Sequence, residues 1–331
     1  MNPLASFFTN SLLRPLEIRE VIVRSKQRIS ILRDDRLAFG IGTKFRKFFG
    51  IHSEMESKGI RTVILQGELH SNLVASFSLL FRIFGYHVRT IAYSRDPKRI
   101  SMNAQIVKKN SHVLETFQSR SDWKAALLEL KKNFSENPEA DENRYRMKYK
   151  NSFQDPNSSF EAVALIPEYG FGLEASQGLN SLWEQIPILE FDHLAIDIGS
   201  GLTWLSARNF FRDRIPVSGV SVGLDKKRMI PWLREKQEEL NFSGFEIDEE
   251  SIWASEDGNG FGSASANILE FNHIFYRKHS VPIEPIYSGK SLYSIRKKME
   301  RSEISGRILY LHQGGLWNFL DSFLPLKEEK V

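Results

Sequence analysis

At 331 residues the chain exceeds the usual size of a single core, which favours two domains or one domain with an insertion. Hydrophobic residues make up 41% and charged residues 26%, and the 45 basic and 41 acidic side chains are interleaved, so the net charge of +4 leaves no nucleic-acid footprint. With no cysteine there are no disulfides, thiolate zinc sites or cysteine nucleophile; with no cationic leader near Met1 and no apolar run long enough for a bilayer, a soluble, cytoplasmic protein is expected.

Residues 20–32 alternate as a strand does and end at Arg33-Asp34-Asp35. After Gly40-Ile41-Gly42-Thr43-Lys44, residues 45–58 have helical spacing and stop at Gly59. The apolar run 62–66 reads as a buried strand with Gly67 as its exit. Ser71-Asn72 then precedes a helix over 73–84, closed by Gly85, and either residue can serve as its N-cap. A strand at 88–93, a helix at 103–110 and a strand at 112–117 follow. The helix at 122–134 is amphipathic through Trp123, Leu127, Leu128, Leu130 and Phe134. The basic runs Lys98-Arg99 and 144–150 read as solvated faces, and the polar stretch 136–157 as a mobile connection.

This rhythm predicts a parallel α/β layer over roughly residues 50–155. A second layer is expected to open with a strand at 162–166 and a helix at 179–185. It continues with a strand at 193–198, a helix at 204–211, a strand at 216–222 and a helix at 226–240. Helices at 267–277 and 290–301 and a last strand at 307–312, ending at Gly314-Gly315, complete it. No internal repeat is found.

Two stretches bear chemistry, and each has a plain alternative. Lys44, behind two glycines and ahead of Arg46 and Lys47, is either part of a solvated basic patch or an amine placed to form a Schiff base. The second role needs its ammonium form disfavoured, by desolvation or by a neighbouring cation. Asp197-Ile198-Gly199-Ser200-Gly201 joins an apolar strand to a helix. It is a plain tight turn, a phosphate cradle at a helix N-terminus, or the adenosylmethionine turn of a Rossmann-type methyltransferase. His70 reads as exposed or capping and His312 as a satisfied structural histidine. The eight histidines form no HExxH pair, so no catalytic metal is expected.

Taken in order, these segments resemble the pyridoxal-phosphate enzymes of the 1-aminocyclopropane-1-carboxylate deaminase and D-cysteine desulfhydrase family. Arg33-Asp34-Asp35 with Gly42-Thr43-Lys44-Phe45-Arg46-Lys47 is similar to its Lys-Arg-Asp-Asp and Gly-Asn-Lys-x-Arg-Lys. Gln66-Gly67-Glu68-Leu69-His70-Ser71-Asn72 is similar to Gly-Gly-x-x-Ser-Asn, and Ile166-Pro167-Glu168-Tyr169-Gly170 to Ile-Pro-Glu-Gly-Gly. Asp257 and the residues up to Gly262 resemble a Gly-x-Gly-Tyr-Gly loop. Pro285-Ile286-Tyr287-Ser288-Gly289-Lys290 matches Pro-Val-Tyr-x-Gly-Lys, and His312-Gln313-Gly314-Gly315 matches His-Thr-Gly-Gly. The resemblance spans residues 28–320, whereas a methyltransferase accounts for only one of these segments.

The resemblance implies an α/β protein of two three-layer domains with parallel-rich sheets, of the tryptophan synthase β-subunit type (pyridoxal-phosphate fold type II). Residues 1–48 and 156–331 would form a large cofactor-binding domain and 49–155 a small substrate-side domain. It implies pyridoxal 5'-phosphate linked to Lys44, a small amino-acid substrate and a homodimer. Asn72 would meet the cofactor's ring oxygen, and Ser71 the substrate carboxylate or a proton. Gly199, Ser200, Gly201, Leu202 and Thr203 would cradle the phosphate, Tyr287 would face the substrate, and Ser288 would lie near the ring nitrogen. The reaction implied is deamination to a 2-oxo acid, by β-elimination or by opening of a cyclopropane ring, and Ser288 leans toward elimination. Thr43, Gln66, Leu73, Tyr169, Phe171 and Gln313 depart from the family pattern, which suggests an unusual substrate, or a relative that binds the cofactor without catalysis.

Overall fold

The structure, a computed structural model, describes residues 2–24, 27–96, 98–132, 147–149, 161–257 and 262–323. Residues 258–261 of the expected glycine loop lie outside these, as does the 136–157 stretch apart from 147–149. In chain order come α1 (Pro3–Ser11), β1 (Ile18–Arg24), β2 (Gln27–Leu32), α2 (Thr43–Ser57), β3 (Thr62–Glu68), α3 (Asn72–Ile83) and β4 (His87–Tyr93). Then follow α4 (Met102–Asn110), β5 (Val113–Phe117), α5 (Arg120–Lys132), β6 (Met147–Tyr149), β7 (Glu161–Leu165), α6 (Leu173–Trp183) and β8 (His193–Ile198). The last are α7 (Leu202–Phe211), β9 (Val217–Ser221), α8 (Lys226–Glu239), β10 (Ile252–Ala254), α9 (Ala266–His279), α10 (Ser288–Glu300) and β11 (Arg307–Leu311). Packing divides the chain into two units: Met1–Leu13 with Lys44–Gly178, and Arg14–Thr43 with Leu179–Val331.

The first unit holds a sheet ordered β5-β4-β3-β7-β6, parallel except where β6 runs against β7. Central β3 is buried from Val63 to Gly67, as its unbroken apolar run requires of a strand covered on both faces. Trp123, Leu127 and Leu130 line the buried face of α5, and the Trp123 indole donates to Ile91 O at 2.9 Å. Leu128, expected on that stripe, is exposed because it falls off the i, i+4, i+7 row; Phe134 lies outside the described residues. Rings of Phe48, Phe77 and Phe81 pack edge to face between α2 and α3, with Phe48 and Phe81 centroids 4.9 Å apart.

One strand sits in a different layer from the one expected. Residues 162–166 were to open the second layer, but β7 pairs in parallel with β3 in the first, Thr62 opposite Val163. Beyond Glu161 the strand is a short apolar run that fits the centre of any parallel sheet, so its composition does not choose its partner. With β4 and β5 on one side of β3 and β7 on the other, the β3/β7 junction is the point where the winding reverses. In open α/β sheets such a junction, at the carboxyl ends of the strands, is where ligands bind.

The second unit holds a sheet ordered β1-β2-β11-β8-β9-β10. The single strand expected at 20–32 is a pair: β1 and β2 run antiparallel, Ile18 opposite Leu32, because the polar run from Arg24 to Arg28 interrupts the alternation. The remaining pairings are parallel. Ile31, Ala195, Val220, Ile295 and Tyr310 belong to its core. Here β9 and β10 lie on one side of β8 and β11 on the other, so the winding reverses at β8/β11. Both α6 and α10 begin earlier than expected, at Leu173 and Ser288, and so take in Gly178 and Gly289, whose low helix propensity does not end a helix that packing holds. Each lies inside its helix at a close contact.

Candidate active site

Lys44 is in the first turn of α2, and close backbone contacts lie on either side of it along the chain. Before it, in the second unit, Gly42 has φ +68°, Thr43 N–H donates to Gln313 O at 3.2 Å, and Gly315 N–H donates to Gly40 O at 3.0 Å. A Cβ on Gly42 would overlap the Gln313 carbonyl, so only glycine fits where these two turns meet. Beyond it, in the first unit, α2 and α6 cross at Gly50 and Gly178. A Cβ on Gly50 would strike Glu174 O, and one on Gly178 would strike Arg46 O. The solvated-patch alternative fails on burial: Arg46 is 2% exposed and Lys47 7%. Lys47, at i+3, shares Lys44's face of the helix.

At the β3/β7 reversal stand Ser71 and Asn72. Ser71 is the N-cap of α3, its hydroxyl oxygen accepting from Val74 N at 3.1 Å; that leaves its O–H as a donor. Asn72 Oδ1 accepts from Asn103 Nδ2 at 2.7 Å. His70, expected to be exposed or capping, is buried instead. Its Nδ1 lies 2.7 Å from Ser101 Oγ and its Nε2 3.0 Å from Ser94 Oγ, and burial lowers its pKa. Burial raises the pKa of Glu68, whose Oε2 accepts from His70 N at 3.1 Å. The departures from the family pattern acquire local reasons. Gln66 Nε2 donates to Ile166 O at 2.8 Å and ties β3 to the end of β7. Leu73 packs on Gly170, where a Cβ would come within 3.2 Å of it. Tyr169 stands at φ +63° with its hydroxyl 3.5 Å from Arg120, which also pairs with Glu168 at 3.1 Å and lies over the Tyr93 ring. Burial pushes the Tyr169 phenol up, with the Glu168 charge adding to it.

At the β8/β11 reversal the turn Gly199-Ser200-Gly201 leads into α7, with Gly201 as its N-cap at φ +98° and no side-chain cap. The first-turn amides are thus left for a ligand. Trp232 Nε1 donates to Ser200 O at 2.9 Å, and Leu202 and Thr203 are buried. The Tyr287 ring lies against Gly199, so that a Cβ there would come within 3.1 Å of it. Ser288 is buried, its hydroxyl accepting from Glu284 N at 2.9 Å and donating to Glu284 Oε1 at 3.1 Å. Of the predicted residues, this unit brings Gly199, Tyr287 and the 200–203 turn together; Ser71 and Asn72 adjoin in the other. His312, fully buried, bonds Pro282 O through Nε2 at 2.7 Å, as a structural histidine would.

Two residues, Glu284 and Asn103, escaped the sequence reading, and a third, Asp197, was read only as part of its turn. Glu284, 0% exposed, caps α10 by accepting from the amides of Ile286, Tyr287 and Ser288 at 2.7–2.8 Å. Burial holds its carboxyl above the ordinary range although those three amides pull it down. An acidic residue just ahead of a helix was the available signal. Asp197 accepts from Tyr310 Oη at 2.8 Å and from Gln313 Nε2 at 2.9 Å, so the departure at Gln313 pins β11 to β8 across the reversal. Asn103, 0% exposed, stands at the start of α4, where no motif marks it. Among the described residues no cluster of three histidine or acidic side chains suits a metal, and no helix is long and apolar enough to cross a membrane.

This is the fold of the pyridoxal-phosphate enzymes of the tryptophan synthase β-subunit type, with parallel-rich sheets in both units. An "ACC deaminase homologue" crystal structure superposes with a TM-score of 0.70 at 17% identity, over 96% of each chain. An O-acetylserine-dependent cystathionine β-synthase from Helicobacter pylori gives a TM-score of 0.59 at 13% identity, over 96% of this chain and 98% of that one. In sequence, a Pyrococcus abyssi protein with the provisional name 1-aminocyclopropane-1-carboxylate deaminase is 23% identical over 300 residues, 87% of this chain and 84% of its own. No family model matches the chain. The resemblance carried by the seven motifs is therefore borne out, and the methyltransferase alternative falls with the fold.

Proposed function

We propose that the chain is a pyridoxal-phosphate enzyme that deaminates a small amino acid to a 2-oxo acid. The observation that carries this is the uncapped, glycine-built start of α7 with the Tyr287 ring against Gly199, a cradle that a single added Cβ would fill. The residues fit the group. Backbone amides of residues 199–203 follow one another at the start of α7, Lys44 stands in the first turn of α2, and Asn72 offers an amide at the start of α3. When bound, pyridoxal phosphate supplies an electron sink for a carbanion at the substrate's α-carbon.

The chain's own residues divide the remaining work. Lys44 would hold the cofactor through its amine and would supply the base for the substrate's α-proton. Ser71, whose hydroxyl hydrogen is unspent by its capping role, donates to the substrate carboxylate. Gly199, Ser200, Gly201, Leu202 and Thr203 bind the phosphate. Tyr287 would face the substrate, and Ser288, its hydroxyl donating to Glu284, would lie near the ring nitrogen. For D-cysteine the balanced outcome is water in, and pyruvate, ammonia and hydrogen sulfide out. For the cyclopropane substrate it is water in, and 2-oxobutanoate and ammonia out. The same reading includes a homodimer.

Absorption between about 300 and 500 nm, before and after borohydride, tests the cofactor, because a lysine-linked carbonyl is the covalent signature required. We expect a visible band that borohydride bleaches with the label on Lys44, and Lys44→Ala should lose both band and turnover. A protein that stays colourless with added pyridoxal phosphate would reject the reading. Release of 2-oxo acid across a panel of small amino acids then separates deaminase from silent binder.

A further inference from the structure

Asn103 Nδ2 makes two contacts, to His70 O at 2.9 Å and to Asn72 Oδ1 at 2.7 Å. Hydrogen-bond partners set an amide's orientation, and here they allow only one. A backbone carbonyl only accepts, so the Asn103 atom facing His70 O is the nitrogen. The same atom faces Asn72, which must therefore present its oxygen. Both hydrogens of the Asn103 amide are then spent, and Asn72 Nδ2 points away from Asn103. Among the described residues Nδ2 of Asn72 donates no hydrogen bond.

The key that fixes this orientation is itself fixed. His70 is held through its ring by Ser94 and Ser101, and Ser101 is also the N-cap of α4, accepting from Ala104 N at 3.1 Å. The start of α4 thus grips His70 twice, by ring and by carbonyl, with Asn103 fully buried between. Burial disfavours the charged form of the His70 ring.

Resting on the cofactor reading above, we propose that Asn103 is a positioning residue: it sets the Asn72 amide nitrogen-outward, so that Asn72 donates to the ionised ring oxygen of bound pyridoxal phosphate. Without Asn103 the Asn72 amide is free to turn over and meet that oxygen with its own. A donor on the ring oxygen draws its charge away from the proton on the Lys44-linked nitrogen, so that proton leaves at lower pH. Losing the donor raises the titration midpoint of the visible band. One charge-assisted hydrogen bond corresponds to about one pH unit.

The test is a pH titration of the visible band in the cofactor-loaded full chain, as a double-mutant cycle of Asn103→Asp and Asn72→Ala. Each single variant should raise the midpoint by about one unit, and the double variant should match Asn72→Ala alone. A midpoint unmoved by Asn103→Asp, or two shifts that add, would overturn the proposal while leaving the cofactor reading intact. An unsubstituted chain with no Lys44-linked band would instead reject that reading. Should Asn103→Asp fail to fold, nitrogen-15 asparagine labelling of the unsubstituted protein decides. On loading with pyridoxal phosphate the Asn72 side-chain amide resonances should move and those of Asn103 should stay; an unmoved Asn72 pair would overturn the inference.

Discussion

The two sheet reversals hold their functional groups by different means. At β3/β7 the work is done by side chains: serine, histidine and two asparagines bond one another around the start of α3. At β8/β11 it is done by backbone: glycine turns abut carbonyls and an uncapped helix start, with Asp197 and Gln313 bracing the strands behind. Side-chain networks specify donors and acceptors atom by atom, which suits a site that must orient a ring or a proton. Backbone cradles specify only shape and sign of charge, which is what a phosphate needs.

The contrast predicts how each reversal breaks. The largest effect should come from Gly42→Ala, which adds a methyl against Gln313 O at a left-handed backbone position; we expect a loss of about 3–5 kcal/mol in urea unfolding. A loss under 1 kcal/mol would mean the two turns are not in contact. Next is acid. Burial lowers the pKa of His193, which bonds Ser218 Oγ at 2.7 Å, from 6.5 to about 4. The unfolded chain therefore binds a proton first, so stability should be full above pH 6.5 and fall as pH drops toward 4, by about 1–3 kcal/mol. His193→Gln should flatten that slope in unfolding measured across the window, and an unchanged slope would remove His193 as its cause. The smallest effect belongs to Ser71→Ala, which should cost about 1 kcal/mol as a lost N-cap, yet reduce turnover far more than Tm. Proportionate losses in both would return Ser71 to a purely capping role.

Much of this was legible in the chain. The apolar periodicity places α3, α7 and α8 within a few residues of where they lie, with Ser71 and Gly85 also marking the ends of α3, and both reversals carry recognisable motifs. What was not legible depends on pairing between distant segments. Nothing in Glu161–Leu165 distinguishes a neighbour of Thr62–Glu68 from a neighbour of His193–Ile198, since any buried parallel strand accepts the same residues. Asn103 carries no local signal because its role exists only where α4 meets the turn before α3. The start of α6 was not legible for the converse reason: Gly178 lowers helix propensity locally, yet it lies inside the helix where another helix comes closest.

That crossing sets the rotational phase of α2. Gly50 lies six residues beyond Lys44, about 9 Å along the axis, and the contact at Glu174 O admits one face of the helix only. The bearing of Lys44 is therefore indexed from the crossing as a tooth is indexed on a gear. One residue inserted between the two would leave α2 helical and still crossed, while swinging the amine round by about 100°.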